Sequence, residues 1–113
     1  MQQSELIKEI VNTYRKHGWT WRRVLLRPET SDHLNLAFGA EELEAIQIEE
    51  SDVDALWFSR ASHAEREAWE LRLLAETPFA LFETFEKEET AGQREEMRRE
   101  MEARLRERVL GEK

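Results

Sequence analysis

Between residues 14 and 23 the chain reads Tyr14-Arg15-Lys16-His17-Gly18-Trp19-Thr20-Trp21-Arg22-Arg23, with aromatic and basic side chains interleaved. Such a run suits stacking on flat rings and pairing with anions, the contacts by which proteins hold single-stranded nucleic acid. The same residues also read as a helix end, a turn and a strand whose tryptophans are core, which requires no ligand. The net charge of the chain is −8, and its field repels a polyanion. Nucleic-acid binding through residues 14–27 is therefore disfavoured. A cleft lined by tryptophans is the better ligand site, with Trp19, Trp21, Arg22, Arg23 and His33 as the candidate binding residues.

Other chemistries are poorly represented. His17, His33 and His63 stand far apart, and none has a partner at the spacing of a helical metal motif. Asp32-His33 sets an acid beside an imidazole, but no serine or cysteine nucleophile motif accompanies it. Glu49-Glu50-Ser51-Asp52-Val53-Asp54 gathers carboxylates in a turn, where a hard cation could bind through oxygen. It lacks the glycine and the distal glutamate of a calcium loop, so a solvated turn is the simpler reading. There are four glycines and no phosphate-cradling pattern, and with no cysteine there is no thiolate metal site or disulfide framework. No metal or cofactor is expected, no catalytic residue can be assigned, and the balance leans away from an enzyme.

The elements that must position these residues can be read from periodicity. Leu6, Ile7, Ile10, Val11 and Tyr14 fall on one face of a helix over residues 4–17, with Ser4 placed to cap it and Gly18 to end it. Residues 19–27 predict a strand stopped by Pro28. Residues 28–42 predict an irregular connection with a short extended or helical piece, and residues 43–49 a second strand. Residues 54–60 give a third strand, in which adjacent Trp57 and Phe58 point to opposite faces.

Residues 63–75 read either as a helix sharing Ala64, Ala68, Leu71 and Ala75 on one face, or as a strand alternating Trp69, Leu71 and Leu73 with Glu70 and Arg72. The strand is preferred, because it makes a hairpin into residues 79–85 and a meander with short connections. Thr90 and Gln93 then fit a capping box opening a helix that runs to about Leu110. Its apolar stripe is Met97, Met101, Leu105 and Val109, one residue wide.

A length of 113 residues fits one domain, with 1–86 as a compact core and 87–113 as a charged helix. The fold class expected is α+β: an N-terminal helix on a mainly antiparallel sheet of four or five strands, and a long charged C-terminal helix. Residues 10–27 hold Arg15, Lys16, Arg22, Arg23 and Arg27 and no acid. Residues 28–59 hold Glu29, Asp32, Glu41, Glu42, Glu44, Glu49, Glu50, Asp52 and Asp54 and no base. The two segments should be neighbours.

No apolar run approaches membrane-spanning length, so no membrane partner and a cytoplasmic setting are expected. Large apolar groups on both strand faces exceed what the first helix can cover. The function expected is therefore a small non-enzymatic interaction module that self-associates as a homodimer. Its interface would be Trp57, Phe58, Phe79, Leu81, Phe85, Met97 and Met101, with the end of the last helix dispensable for folding. The Trp-lined ligand or enzymatic cleft is the alternative.

Overall fold

A computed structural model describes residues 2–111 of the chain. Helix α1 (Gln3–Lys16) buries Leu6, Ile7, Ile10 and Val11, the stripe that its periodicity predicts. The cap is Gln2 and not Ser4, with the Glu5 carboxylate accepting from the Gln2 N–H at 3.4 Å. Gly18 follows with φ +86, a left-handed conformation that lets the Trp19 N–H turn back to the Tyr14 carbonyl at 3.0 Å. This turn sends the chain into β1 (Thr20–Leu26).

A 3-10 turn (Pro28–Thr30) and two short helices, α2 (Ser31–Ala37) and α3 (Ala40–Glu44), then cross to β2 (Gln47–Glu50). The helical option for residues 28–42 is the one realised. Leu43 and Glu44 belong to α3, so β2 starts later than its composition suggests. Because the chain crosses over instead of turning back, β2 lies parallel to β1. The rest is antiparallel: β3 (Ala55–Ala61), β4 (Glu67–Leu73) and β5 (Ala80–Phe85) form a meander beside β1. The hairpin preferred for residues 63–75 is present. The sheet order is β2-β1-β3-β4-β5, and the class is α+β.

Each face has its own core. On one side Leu6, Ile7, Ile10 and Val11 of α1 and Leu34 and Phe38 from the crossover meet Trp21, Val24, Leu26, Leu56 and Phe58. On the other, α4 (Ala91–Leu110) lays Met101 and Leu105 on Leu25, Trp57, Trp69, Leu71 and Phe85. Thr90 and Gln93 close the expected capping box, at 3.1 and 2.8 Å.

The narrow stripe of α4 is widened by charged side chains that lie flat on the sheet. The Arg98 guanidinium sits 4.5 Å from the Trp69 ring centroid and 5.6 Å from that of Phe85. Glu102 is buried and accepts the Trp57 indole N–H at 2.8 Å. Trp57, Phe58, Phe85 and Met101 are therefore interior to one chain. Phe79, Leu81 and Met97 are half-buried against the same core. Trp57, Phe58, Phe85 and Met101 are thus not free to form the expected association surface, while Phe79, Leu81 and Met97 keep part of their surface exposed. The buried Met101 and Leu105 place the second half of α4 in the core, against the expectation that the end of the helix is dispensable for folding.

The basic and acidic segments do meet. Arg15 pairs with Glu42 at 3.2 Å, Arg23 with Glu49 at 3.7 Å and Arg27 with Asp54 at 3.0 Å. Buried Asp54 also accepts the Arg27 N–H at 2.8 Å and the Thr30 hydroxyl at 2.9 Å, which fixes the departure of the crossover from β1.

Candidate functional site

Helix α1 lies over β1 and the neighbouring part of β3, and it leaves β4 and β5 open on the same side. There the strand register sets Trp21, Phe58, Glu70 and Phe82 in one row across four strands. Directly paired residues share a face, so Glu70 has an aromatic ring on either hand. Tyr14, from the last turn of α1, stacks on Phe58 at 4.0 Å and 9°. Its hydroxyl donates to Glu70 Oε2.

Trp19, delivered by the Gly18 turn, stands edge-on to both neighbours. Its centroid is 6.0 Å from Tyr14 at 68° and 6.5 Å from Phe82 at 86°. The result is a half-buried carboxylate with the rings of Tyr14, Trp19, Phe58 and Phe82 around it. A cleft of about 220 Å³ opens into it, lined by Thr13, Tyr14, His17, Trp19 and Glu70.

The electrostatics are specific. Burial, followed by the hydrogen bond to Glu70, raises the Tyr14 phenol well above its ordinary value. Tyr14 thus remains a neutral donor, and the site contains an acceptor-rich carboxylate. His17 Nδ1 lies 2.8 Å from the Thr13 carbonyl, so Nδ1 carries the hydrogen and donates. Arg60 rests its guanidinium 4.6 Å from the Trp19 centroid and donates to the His17 carbonyl at 3.1 Å. Cation binding to this ring is already present within the chain.

The residues singled out from sequence disperse. Trp19 is in the cleft just described. Trp21 is interior, with its ring 4.9 Å from Phe38 and its indole N–H on the Arg23 carbonyl at 3.0 Å. Arg22 sits at a bulge in β1 and donates to Ser59 Oγ at 2.8 Å. Arg23 is on the α4 side, held by two bonds to Glu95 at 2.9 and 3.3 Å. His33 is on α2, half-buried.

A larger cleft of about 710 Å³ beside the start of β1, which β3 pairs but β2 does not, brings Trp19, Trp21 and Arg22 together with Arg15 and Glu42. Its polar groups already answer one another, Arg15 with Glu42 and Arg22 with Ser59. Tyr14 opens the aromatic and basic run of residues 14–23 and ends the helix stripe, whereas Glu70 and Phe82 carry no motif. The only signal for Glu70 is its place as a carboxylate on a strand face, where a partner aromatic follows in the next strand.

Among the described residues no group of three or more His, Cys, Asp or Glu is arranged to hold a metal ion. None of their helices is long and apolar enough to cross a membrane. Fold and cleft together define a small α+β domain with helices on both faces of a five-stranded sheet and an aromatic-walled carboxylate at its open corner. Comparison with protein families, with known proteins and with solved structures finds no match.

Proposed function

We propose that the chain is a small non-enzymatic interaction module that self-associates, pairing its β5 edge with the β5 edge of a second copy. The observation that carries this is the contrast between the two sheet edges. Strand β2 is four residues long and bears Glu49 and Glu50, the short charged design by which proteins blunt an edge. Strand β5 reads Ala-Leu-Phe-Glu-Thr-Phe, has β4 on one side only, and leaves Phe82 57% exposed.

A second copy supplies the self-complementary partner. Antiparallel pairing about a two-fold axis through Phe82 keeps each face continuous and sets Phe82 against Phe82, Leu81 against Glu83 and Ala80 against Thr84. The dimer would cover Phe82, an exposed aromatic ring, and extend the sheet to ten strands. The cytoplasm is the proposed setting, where a chain without cysteine needs no oxidising environment.

The test is light scattering across a concentration series for the parent and for Phe82→Lys. Lysine at an edge resists strand pairing, and exposed Phe82 lies outside both buried cores, although its ring also packs on Trp19. A dimeric parent and a folded, monomeric Phe82→Lys are expected. A parent that stays monomeric at high concentration, or a Phe82→Lys chain that stays dimeric, overturns the proposal.

A further inference from the structure

We infer that the cleft at Glu70 is a binding site for an alkylammonium group, an activity separate from the proposed self-association. Three observations converge on this chemistry. Two ring planes meet nearly at right angles, Tyr14 and Trp19 at 68°, and form a corner that a roughly spherical cation fills better than a flat group. The carboxylate at the back of the corner is half-committed. Glu70 Oε2 takes the Tyr14 hydroxyl, and among the described residues no donor bonds to Oε1. The carboxylate charge, answered only by a neutral phenol, attracts a compact cation without offering the two free oxygens that a guanidinium seeks for its parallel bonds.

The cleft volume of about 220 Å³ accommodates a trimethylammonium head with part of its chain. An anion has little to hold there, since Tyr14 is held protonated and its proton is directed at Glu70.

The basic side chains nearby are His17, Arg60 and Arg72. His17 directs its Nδ1 hydrogen to Thr13. Arg72 faces the Tyr14 hydroxyl, yet its Nε and Nη2 donate to the carbonyls of Leu73 and Ala75, at 3.1 and 3.3 Å. Arg60 is the built-in competitor, since it already occupies the Trp19 ring. Removing it should therefore strengthen binding, an effect that a merely structural Arg60 would not produce.

Nuclear magnetic resonance titration with tetramethylammonium chloride, against sodium and guanidinium chloride at equal ionic strength, tests the inference through the Trp19 indole N–H. Saturable shifts confined to Tyr14, Trp19, Glu70 and their neighbours are expected with tetramethylammonium. Glu70→Gln keeps an acceptor for Tyr14 while losing the charge, and should weaken binding roughly tenfold or more. Arg60→Ala should tighten it. Choline and a short peptide carrying trimethyl-lysine are the further arms. Tighter binding of the first identifies a small-molecule amine as the source, and of the second a modified protein side chain.

Absence of saturation by tetramethylammonium, or unchanged affinity in a folded Glu70→Gln, overturns the inference. Glu70 is one strand in from the β5 edge, so Glu70→Gln should leave the oligomer mass of the parent unaltered. Glu70→Gln thus tests the cleft without touching the dimer, whereas Phe82, which pairs with Glu70 and packs on Trp19, belongs to both.

Discussion

Ala64 and Glu65 hold φ values of 56° and 62°, in the left-handed region that L-residues other than Gly, Asn and Asp avoid. They form the tip of the β3–β4 hairpin, closed by Arg66 N–H to the His63 carbonyl at 3.1 Å and Ser62 N–H to the Arg66 carbonyl at 2.9 Å. Tight hairpin turns with both central residues left-handed favour Asn-Gly. The double substitution Ala64→Asn, Glu65→Gly should therefore stabilise the domain by about 1 kcal/mol or more in denaturant unfolding. A loss of stability would show that the turn relaxes to another form. In the α4-side core the Trp57–Glu102 bond sets a second expectation. Glu102→Ala leaves the buried indole N–H without an acceptor and should cost about 1–3 kcal/mol, and Glu102→Gln should cost less. Neither residue announces these roles in the sequence. A strained turn without glycine and a charged residue turned inward both run against local preference, and tertiary contacts decide them.

Helix α4 is where element-level reading and structure diverge most. Counting only its apolar residues gives a stripe too narrow to close a sheet face. Adding the methylene stems and guanidinium planes of Arg94 and Arg98, which lie against Phe85, makes a cover of adequate width. Leu105→Ala should cost about 2–5 kcal/mol in equilibrium unfolding, the range for a fully buried leucine. Truncation after Arg99 removes Met101, Glu102 and Leu105 together and should abolish cooperative unfolding; a truncated chain with an intact transition would return α4 to the periphery. The helix is also tied electrostatically to β1. The Arg23 guanidinium bonds to Glu95 and, against the opposing effect of partial burial, holds its carboxyl below the ordinary 4.5. A carboxylate so depressed adds stability above its unfolded value and loses it as pH falls through the folded one. Stability should therefore decline as the medium is acidified below about pH 4.5, and Glu95→Gln should flatten that decline. A pH series of thermal melts on both proteins distinguishes the outcomes. The main helices and strands were legible because their apolar periods are regular. The start of β2 and the division of residues 28–44 into two short helices were not, because five- and seven-residue helices carry too few turns to show a period.

At the scale of the molecule, a sheet with large apolar groups on both sides solves its burial problem with one helix from each end of the described chain. That arrangement leaves a corner open over β4 and β5, where the aromatic-walled carboxylate and the unpaired edge lie side by side. The class of fold was readable, and so was the attraction between the basic and acidic segments. The cleft was not, because its residues are brought together only by strand register across the meander and by the turn at Gly18. Gly18→Ala should weaken the domain by about 1 kcal/mol through the left-handed penalty and should displace Trp19 from Tyr14. Loss of the tetramethylammonium response without loss of folding would be its signature.

The two covers of the sheet are also separated in the order of synthesis. The face bearing Trp57, Trp69 and Leu71 leaves the ribosome before Met101 and Leu105, which shield it. The 20 residues of α4 take roughly one to four seconds to make at the usual elongation rates. Until α4 docks, the meander presents one bare tryptophan-rich side to water. Aggregation from that state, and relief of it by holding chaperones, should rise in variants that slow the docking of α4, such as Leu105→Ala.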